Sequence, residues 1–204
     1  EDADILKTNQ LLGSWVAIIA KYILKKPLIV RTGYDLLTFS KYNNKSKIKI
    51  FFYYLLTRLS IYFSNRYIVS SNVDYEYIKS IHNKGYKKIR IIRNWVEEAE
   101  VIEFSERYKD ETISVGRLEK QKNYKLLIEK FKNSQLSINL YGDGSLKEEL
   151  VQHAKRNKVS LNINNPVPNK ELIRILGKHR IFISTSSFEG SPKAILEAMS
   201  CGCV

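Results

Sequence analysis

The sequence predicts a parallel α/β fold in two parts. Short apolar runs alternate with stretches of helical period along nearly the whole chain, as strands joined by helical crossovers do. Only residues 94–111 break that rhythm, where Asn94-Trp-Val-Glu-Glu-Ala-Glu is acidic and has no clean period. The expected organisation is therefore a first part over residues 1–96, a linker over 97–111 and a second part over 112–204. A hydrophobic content of 44% is ordinary for a globular chain and well above that of a disordered one.

The expected strands of the first part are Asp4–Lys7, Leu28–Arg31, Tyr67–Ser70 and Lys88–Ile92. Those of the second are Thr112–Val115, Ile138–Tyr141, Leu161–Ile163 and Ile181–Ser184. Four strands apiece are too few for two complete doubly wound domains, so both parts are expected to be incomplete. Tyr124, Leu127, Ile128 and Phe131 fall at i, i+3, i+4 and i+7 of a helix. Ser145-Leu-Lys-Glu148 has the spacing of a capping box, and Ser71-Asn-Val-Asp74 and Asn169-Lys-Glu-Leu172 are further helix starts. Ser191 suits an N-cap and Pro192 a first helical position, where a missing N–H costs nothing.

Residues 48–63 are the most apolar and aromatic stretch. They read as a core helix with a basic approach from Lys41, Lys45, Lys47 and Lys49, or as a helix lying in a membrane interface. Interrupted by Lys49 and Arg58, they fall short of a bilayer span.

The net charge of +13 is spread evenly: residues 1–104 hold 17 basic and 10 acidic side chains, residues 105–204 hold 17 and 11. Such a field favours nucleotides, anionic lipid or nucleic acid, although a lysine-rich solvated surface accounts for most of it. No basic stripe interleaves with aromatics as single-strand binding requires, so no nucleic-acid partner is expected. Cys201 and Cys203 stand apart from any second pair, and His82, His153 and His179 are scattered; neither a metal site nor a disulfide is expected. The expected location is the cytoplasm, with peripheral contact at the inner membrane face if residues 41–63 lie at an interface. The chain starts on Glu1 and stops at Val204 where an apolar strand is beginning, so truncation at both ends is expected.

Four loops follow expected strand ends in the second part, where parallel sheets bind ligands. In Gly116-Arg-Leu-Glu-Lys-Gln-Lys122, Gly116 allows a turn, and Arg117 and Lys122 can converge on a diphosphate. In Tyr141-Gly-Asp-Gly144, the segment Gly142, Asp143 and Gly144 permits close backbone approach, and equally reads as an ordinary turn. It lacks a dinucleotide fingerprint, so NAD is not expected. Val167 and Pro168, in Pro166-Val-Pro-Asn169, stiffen a loop that either lines a base pocket or merely connects. In the fourth, Phe188-Glu-Gly-Ser-Pro-Lys-Ala-Ile-Leu-Glu197, Glu189 sits on a turn and Glu197 on the following helix. Gly190, Ser191 and Pro192 lie between them, at a helix start that attracts phosphate. Each loop alone is a weak signal. Together they suit a ligand with phosphates and sugar hydroxyls.

In that order, Ser-Val-Gly-Arg-Leu with Lys122, Tyr-Gly-Asp-Gly-Ser, Val-Pro-Asn-Lys-Glu-Leu and Ser-Phe-Glu-Gly-Ser-Pro with Glu-Ala-Met-Ser-Cys-Gly resemble the retaining glycosyltransferases of family 4, the glycosyl transferases group 1. The resemblance is strong over residues 112–204. Asp4-Ile-Leu-Lys-Thr, Lys26 to Gly33, Val69-Ser-Ser71 and Ile89 to Asn94 look like the later part of the family's acceptor-side domain. It implies a GT-B fold of two Rossmann-like parallel-sheet domains, here both incomplete, with nucleotide-sugar binding in 112–204. It implies transfer from a nucleotide-diphosphate-sugar donor to a glycan or lipid-linked acceptor, with retention, in surface polysaccharide or glycoconjugate synthesis. Arg117 and Lys122 would hold the diphosphate as it leaves, Glu189 the sugar hydroxyls and Glu197 the ribose, with Gly190, Ser191 and Pro192 bringing amides to the phosphates. No cofactor or divalent metal is implied. Asn123 stands where many members have glycine, and the chain by itself is expected to be inactive. A nucleotide-sugar epimerase or phosphorylase of the same fold, or a non-catalytic nucleotide or nucleic-acid binding module, are the alternatives.

Overall fold

A computed structural model of the chain describes residues 3–33, 36, 37, 40, 46–82 and 86–204. The chain divides into two compact units, residues 1–94 and 95–204. In the first, four parallel strands follow one another across the sheet: β1 (Leu6–Thr8), β2 (Leu28–Arg31), β3 (Arg66–Val69) and β4 (Ile89–Ile91). They are joined by α1 (Ser14–Leu24) after β1, α2 (Lys47–Phe63) before β3 and α3 (Asn72–Ile81) after it. Leu28, Val30, Tyr67, Val69 and Ile89 meet Leu56 and Ile61 of α2 and Ile78 of α3 in one buried cluster. α3 starts as its sequence promised: the Ser71 hydroxyl accepts from the Asp74 amide at 3.1 Å. Lys41 and Lys45, part of the basic approach to residues 48–63, lie outside the described residues.

The second unit is doubly wound. Its strands are β5 (Tyr108–Val115), β6 (Ser137–Tyr141), β7 (Leu161–Asn164) and β8 (His179–Phe182), all parallel in the order β7-β6-β5-β8. The helices are α4 (Tyr124–Lys130), α5 (Lys147–Asn157), α6 (Asn169–Gly177) and α7 (Lys193–Ser200). One buried cluster joins Ile138 and Leu140 to Leu127 and Ile128 of α4 and Leu150 of α5. Another joins Ile113 to Leu172 and Leu176 of α6 and Ala198 and Cys201 at the end of α7. Ile138 pairs with Thr112, so Ile113 faces away from Ile138 and Leu140, and the two clusters bury the sheet on both faces. β6 and β8 lie on opposite sides of β5, so the chain reverses its direction of winding there.

The segment expected as a linker over 97–111 belongs to the second unit. Arg107 is buried, and its guanidinium donates to Ile102 O at 2.7 and 2.9 Å and to Gly202 O at 2.7 Å. Gly202 has φ 75°, and a Cβ there would meet Arg107 Nη2 at 2.8 Å, so the clasp needs glycine. The Ser200 hydroxyl donates to Glu97 O and accepts from the Ala99 amide. The bonds to Gly202 and Ser200 span about a hundred residues and leave no periodic trace in the segment.

A polar row crosses the second sheet near its strand starts. Asn162 Nδ2 donates to Asn139 Oδ1 at 3.1 Å, and Asn139 Nδ2 donates to Glu111 Oε2 at 2.5 Å and lies 3.2 Å from His179 Nε2. His179 Nδ1 faces Ile175 O at 2.8 Å; a carbonyl only accepts, so Nδ1 carries the proton and Nε2 accepts from Asn139. Burial lowers the His179 pKa from 6.5, opposed by the Ile175 bond and Glu111 and aided by Lys178. The unfolded chain therefore takes up the proton first. Stability is expected to be whole above about pH 6.5 and to fall as pH drops from there toward the depressed value. His82, also lowered by burial and by Arg58, acts in the same direction. Urea midpoints measured between about pH 7.5 and 5.5 should slope downward; His179→Gln should reduce the slope and the double substitution with His82→Gln should remove it.

Candidate active site

The loops after β5 and β8 flank the point where the winding reverses, which is where doubly wound sheets bind ligands. The loop after β5 lies directly on the loop after β6. Gly116 N–H donates to Tyr141 O at 3.0 Å, Leu118 N–H to Asp143 O at 2.9 Å and Leu146 N–H to Leu118 O at 3.0 Å. A Cβ on Gly142 would sit 1.9 Å from Gly116 O, and one on Gly144 2.7 Å from Leu118 O. The glycines thus allow one loop to lie against the other.

The same β5 loop is tied to the loop after β8. The Thr185 hydroxyl lies 3.0 and 3.1 Å from the carbonyls of Lys122 and Asn123. Ser187 N–H donates to Gln121 O at 2.9 Å, and Gln121 Nε2 to Phe188 O at 2.8 Å. Lys122 Nζ pairs with Glu189 Oε1 at 2.5 Å, both half-buried. Asn123 holds φ 51°, ψ 41°, a left-handed conformation that asparagine tolerates better than most residues and glycine best. Beneath them Tyr124 is buried, and burial pushes its phenol up to about 12; Ser114 opposes the shift and the Glu189 charge adds to it. Tyr124 is therefore a neutral floor.

Asn169 Nδ2, at the first position of α6, donates to Glu197 Oε1 at 2.7 Å, and Lys193 Nζ reaches the same oxygen at 3.2 Å. Glu197 is buried on α7. A cavity of about 380 Å³ opens between the first three loops, lined by Gly116, Arg117, Tyr141, Gly142, Asp143 and Val167, with Leu172 at its back. Arg117 is exposed at its edge; Lys122 and Glu189 form their pair outside the lining, and Pro168 caps α6. Gly190 and Ser191 lie half-buried in the turn before α7.

Two helix starts differ from expectation. Ser145 does not cap α5: its amide and hydroxyl both donate to Glu119, at 3.1 and 3.0 Å, and the N-cap falls on Leu146. Those bonds, the amide's first, hold the Glu119 carboxyl below its usual range. Pro192, not Ser191, is the N-cap of α7, because its ψ of 108° keeps it outside the helix. The open amides therefore begin at Lys193. The sequence did not single out Gln121 or Thr185 as tethers, nor Asn169 as the partner of Glu197. Adjacency to the motif loops was the only signal available for them.

Residues 97–204 match the family described as Glycosyl transferases group 1. The chain belongs to this family. A curated member from Campylobacter jejuni, N-acetylgalactosamine-N,N'-diacetylbacillosaminyl-diphospho-undecaprenol 4-alpha-N-acetylgalactosaminyltransferase, is 33% identical over 99 residues, 45% of this chain and 26% of that one. The amylovoran biosynthesis glycosyltransferase AmsD of Erwinia amylovora is 28% identical over 95 residues, 45% of this chain and 27% of its own. Among solved structures, Anabaena HepE in complex with UDP and glucose superposes with a TM-score of 0.77 at 18% identity, over 98% of this chain and 57% of that one. Sucrose-phosphate synthase from Thermosynechococcus elongatus gives 0.79 at 17%, over 98% and 54%. The fold of this group 1 glycosyl transferase is thus of GT-B type, and its chain spans little more than half of those structures.

Proposed function

We propose that this chain supplies the donor-binding machinery of a glycosyltransferase that moves a sugar from a nucleoside-diphosphate sugar to a glycan or lipid-linked acceptor, with retention and without a divalent metal. The observation that carries this reading is the Lys122–Glu189 pair, which joins the two loops at the switch point beside the cavity edged by Arg117. Breaking a glycosyl–phosphate bond builds negative charge on the departing diphosphate. Fixed cations stabilise that charge without reorganising, and Arg117 and Lys122 would do so here.

Glu189, at the turn, would hold the donor sugar by its hydroxyls. The contacts of Glu197 fall on Oε1, so Oε2 is assigned to a ribose hydroxyl. Tyr141, Val167 and Leu172 would receive the base, with Pro168 stiffening the loop, and the open amides at the start of α7 would meet the phosphates beside Gly190, Ser191 and Pro192. UDP is the first nucleotide to test, because the Anabaena protein was solved with it.

A thermal-shift panel of UDP, GDP, ADP and CMP with their sugars, run with and without EDTA, tests this. One nucleotide series should raise the melting temperature; ligand at a hundred times its Kd adds about 2.7 kcal/mol. Arg117→Ala should erase the shift, and EDTA should leave it intact. A flat panel would end the reading.

A further inference from the structure

We propose that the outer surface of α1 and α2 in the first unit docks on an anionic phospholipid bilayer. This rests on surface chemistry alone and stands apart from the donor site. α2 buries Leu56, Thr57, Ser60 and Ile61 toward the sheet. Its outward face should then be polar, yet it carries Ile48, Phe51, Phe52, Leu55, Leu59 and Tyr62 at i, i+3, i+4, i+7, i+11 and i+14. Ile48 is 81% exposed, Phe51 65% and Tyr62 71%.

Neighbouring α1 repeats the pattern, with Trp15, Ile19, Tyr22 and Ile23 exposed. The two helices are fixed to each other by a Ser60–Ser14 hydroxyl bond at 2.7 Å, by Lys21 Nζ donating to Phe63 O at 2.7 Å and by an edge-on Tyr22–Phe63 contact. Two rigid helices thus present a double apolar surface. No helix among the described residues is long and apolar enough to cross a membrane.

Charge selects the occupant. Residues 9–70 hold ten lysines and arginines against a single acidic residue, Asp35. Lys47, Lys49 and Arg58 are exposed along α2. At the end of α1, Lys21, Lys25 and Lys26 line a pocket of about 390 Å³ with Tyr22, Pro27 and Asn65, beside exposed Ile23 and Leu24. A protein partner's interface core is depleted in lysine. Apolar and aromatic side chains bordered by unopposed lysines are instead the composition of a surface that lies in the headgroup region. The lysine pocket takes a lipid phosphate, and the Phe51 stripe enters the acyl boundary.

Flotation with vesicles of phosphatidylcholine alone, and with about a third phosphatidylglycerol, tests the proposal with the chain as it stands, without nucleotide. Binding should require phosphatidylglycerol, weaken steeply with salt, and drop at least about tenfold both in Lys25→Glu/Lys26→Glu and in Ile48→Ser/Phe51→Ser. Lys25, Ile48 and Phe51 are exposed and Lys26 is half-buried, and circular dichroism should show both variants folded. Equal binding to neutral vesicles, or variants that float like the parent, would overturn it. So would concentration-dependent self-association in light scattering that disappears in Ile48→Ser/Phe51→Ser, which would assign the surface to a second copy. The nucleotide panel is read separately, so either proposal can fail alone.

Discussion

In a full-length protein carrying this chain, Lys122→Ala is expected to cut the proposed sugar transfer by about 10²–10³-fold and to weaken nucleoside-diphosphate binding, while Glu189→Gln cuts transfer and tightens binding. The opposite signs follow from the 2.5 Å pair. Without ligand, the Lys122 ammonium is held by the Glu189 carboxylate, and a diphosphate must compete for it. Removing the carboxylate charge frees the ammonium. For a partly exposed pair that competition is worth up to about 1 kcal/mol, so diphosphate affinity should rise by up to about fivefold. Transfer still falls, because the group assigned to the donor sugar has changed. Calorimetry with the diphosphate and a product assay with the donor separate the two effects. Affinities that fall together in both variants would show that the pair only braces the loops.

Gly142→Ala carries the largest expected cost in stability. The added methyl would lie 1.9 Å from Gly116 O and 3.0 Å from its carbonyl carbon. Both obstacles are backbone, so no rotamer change relieves them. Overpacking in a close-packed region costs about 1–3 kcal/mol, and a backbone obstacle places this substitution at the upper end. The β5 and β6 loops must then part, opening the cavity they line. The expected result is a melting temperature lowered by ten degrees or more, at about 4–8 °C per kcal/mol, together with lost nucleotide response. Gly13→Ala is the control, since nothing lies within 4 Å of its Cβ position. A normal melting curve in Gly142→Ala would contradict the packed-loop arrangement.

The strands were legible because each holds a short apolar run or apolar residues in alternation, as Leu28-Ile-Val and Ile89-Arg-Ile do, between stretches of helical or turn character. All eight appear within a few residues of their expected places, and β5 and β8 begin earlier because Tyr108 and His179 pair before the apolar runs start. The Ser71 start was legible because its capping partner, Asp74, is three residues away. The α5 start was misread because Glu119, 26 positions upstream, takes both the amide and the hydroxyl of Ser145. Similarly, the motif loops could be found from glycines, cations and carboxylates after strand ends. Their pairing could not, because Lys122 and Glu189 are 67 residues apart and only the strand order brings them together. Short-range chemistry was readable, and long-range choice of partner was not.

The Arg107 clasp sets where this half of the molecule can be exchanged between related transferases. A transplant beginning at β5 would leave its anchor behind and strip Gly202 O of its donor. A transplant beginning near Trp95 would travel with its own fastening, so recombination that respects the architecture should cross over ahead of the indole.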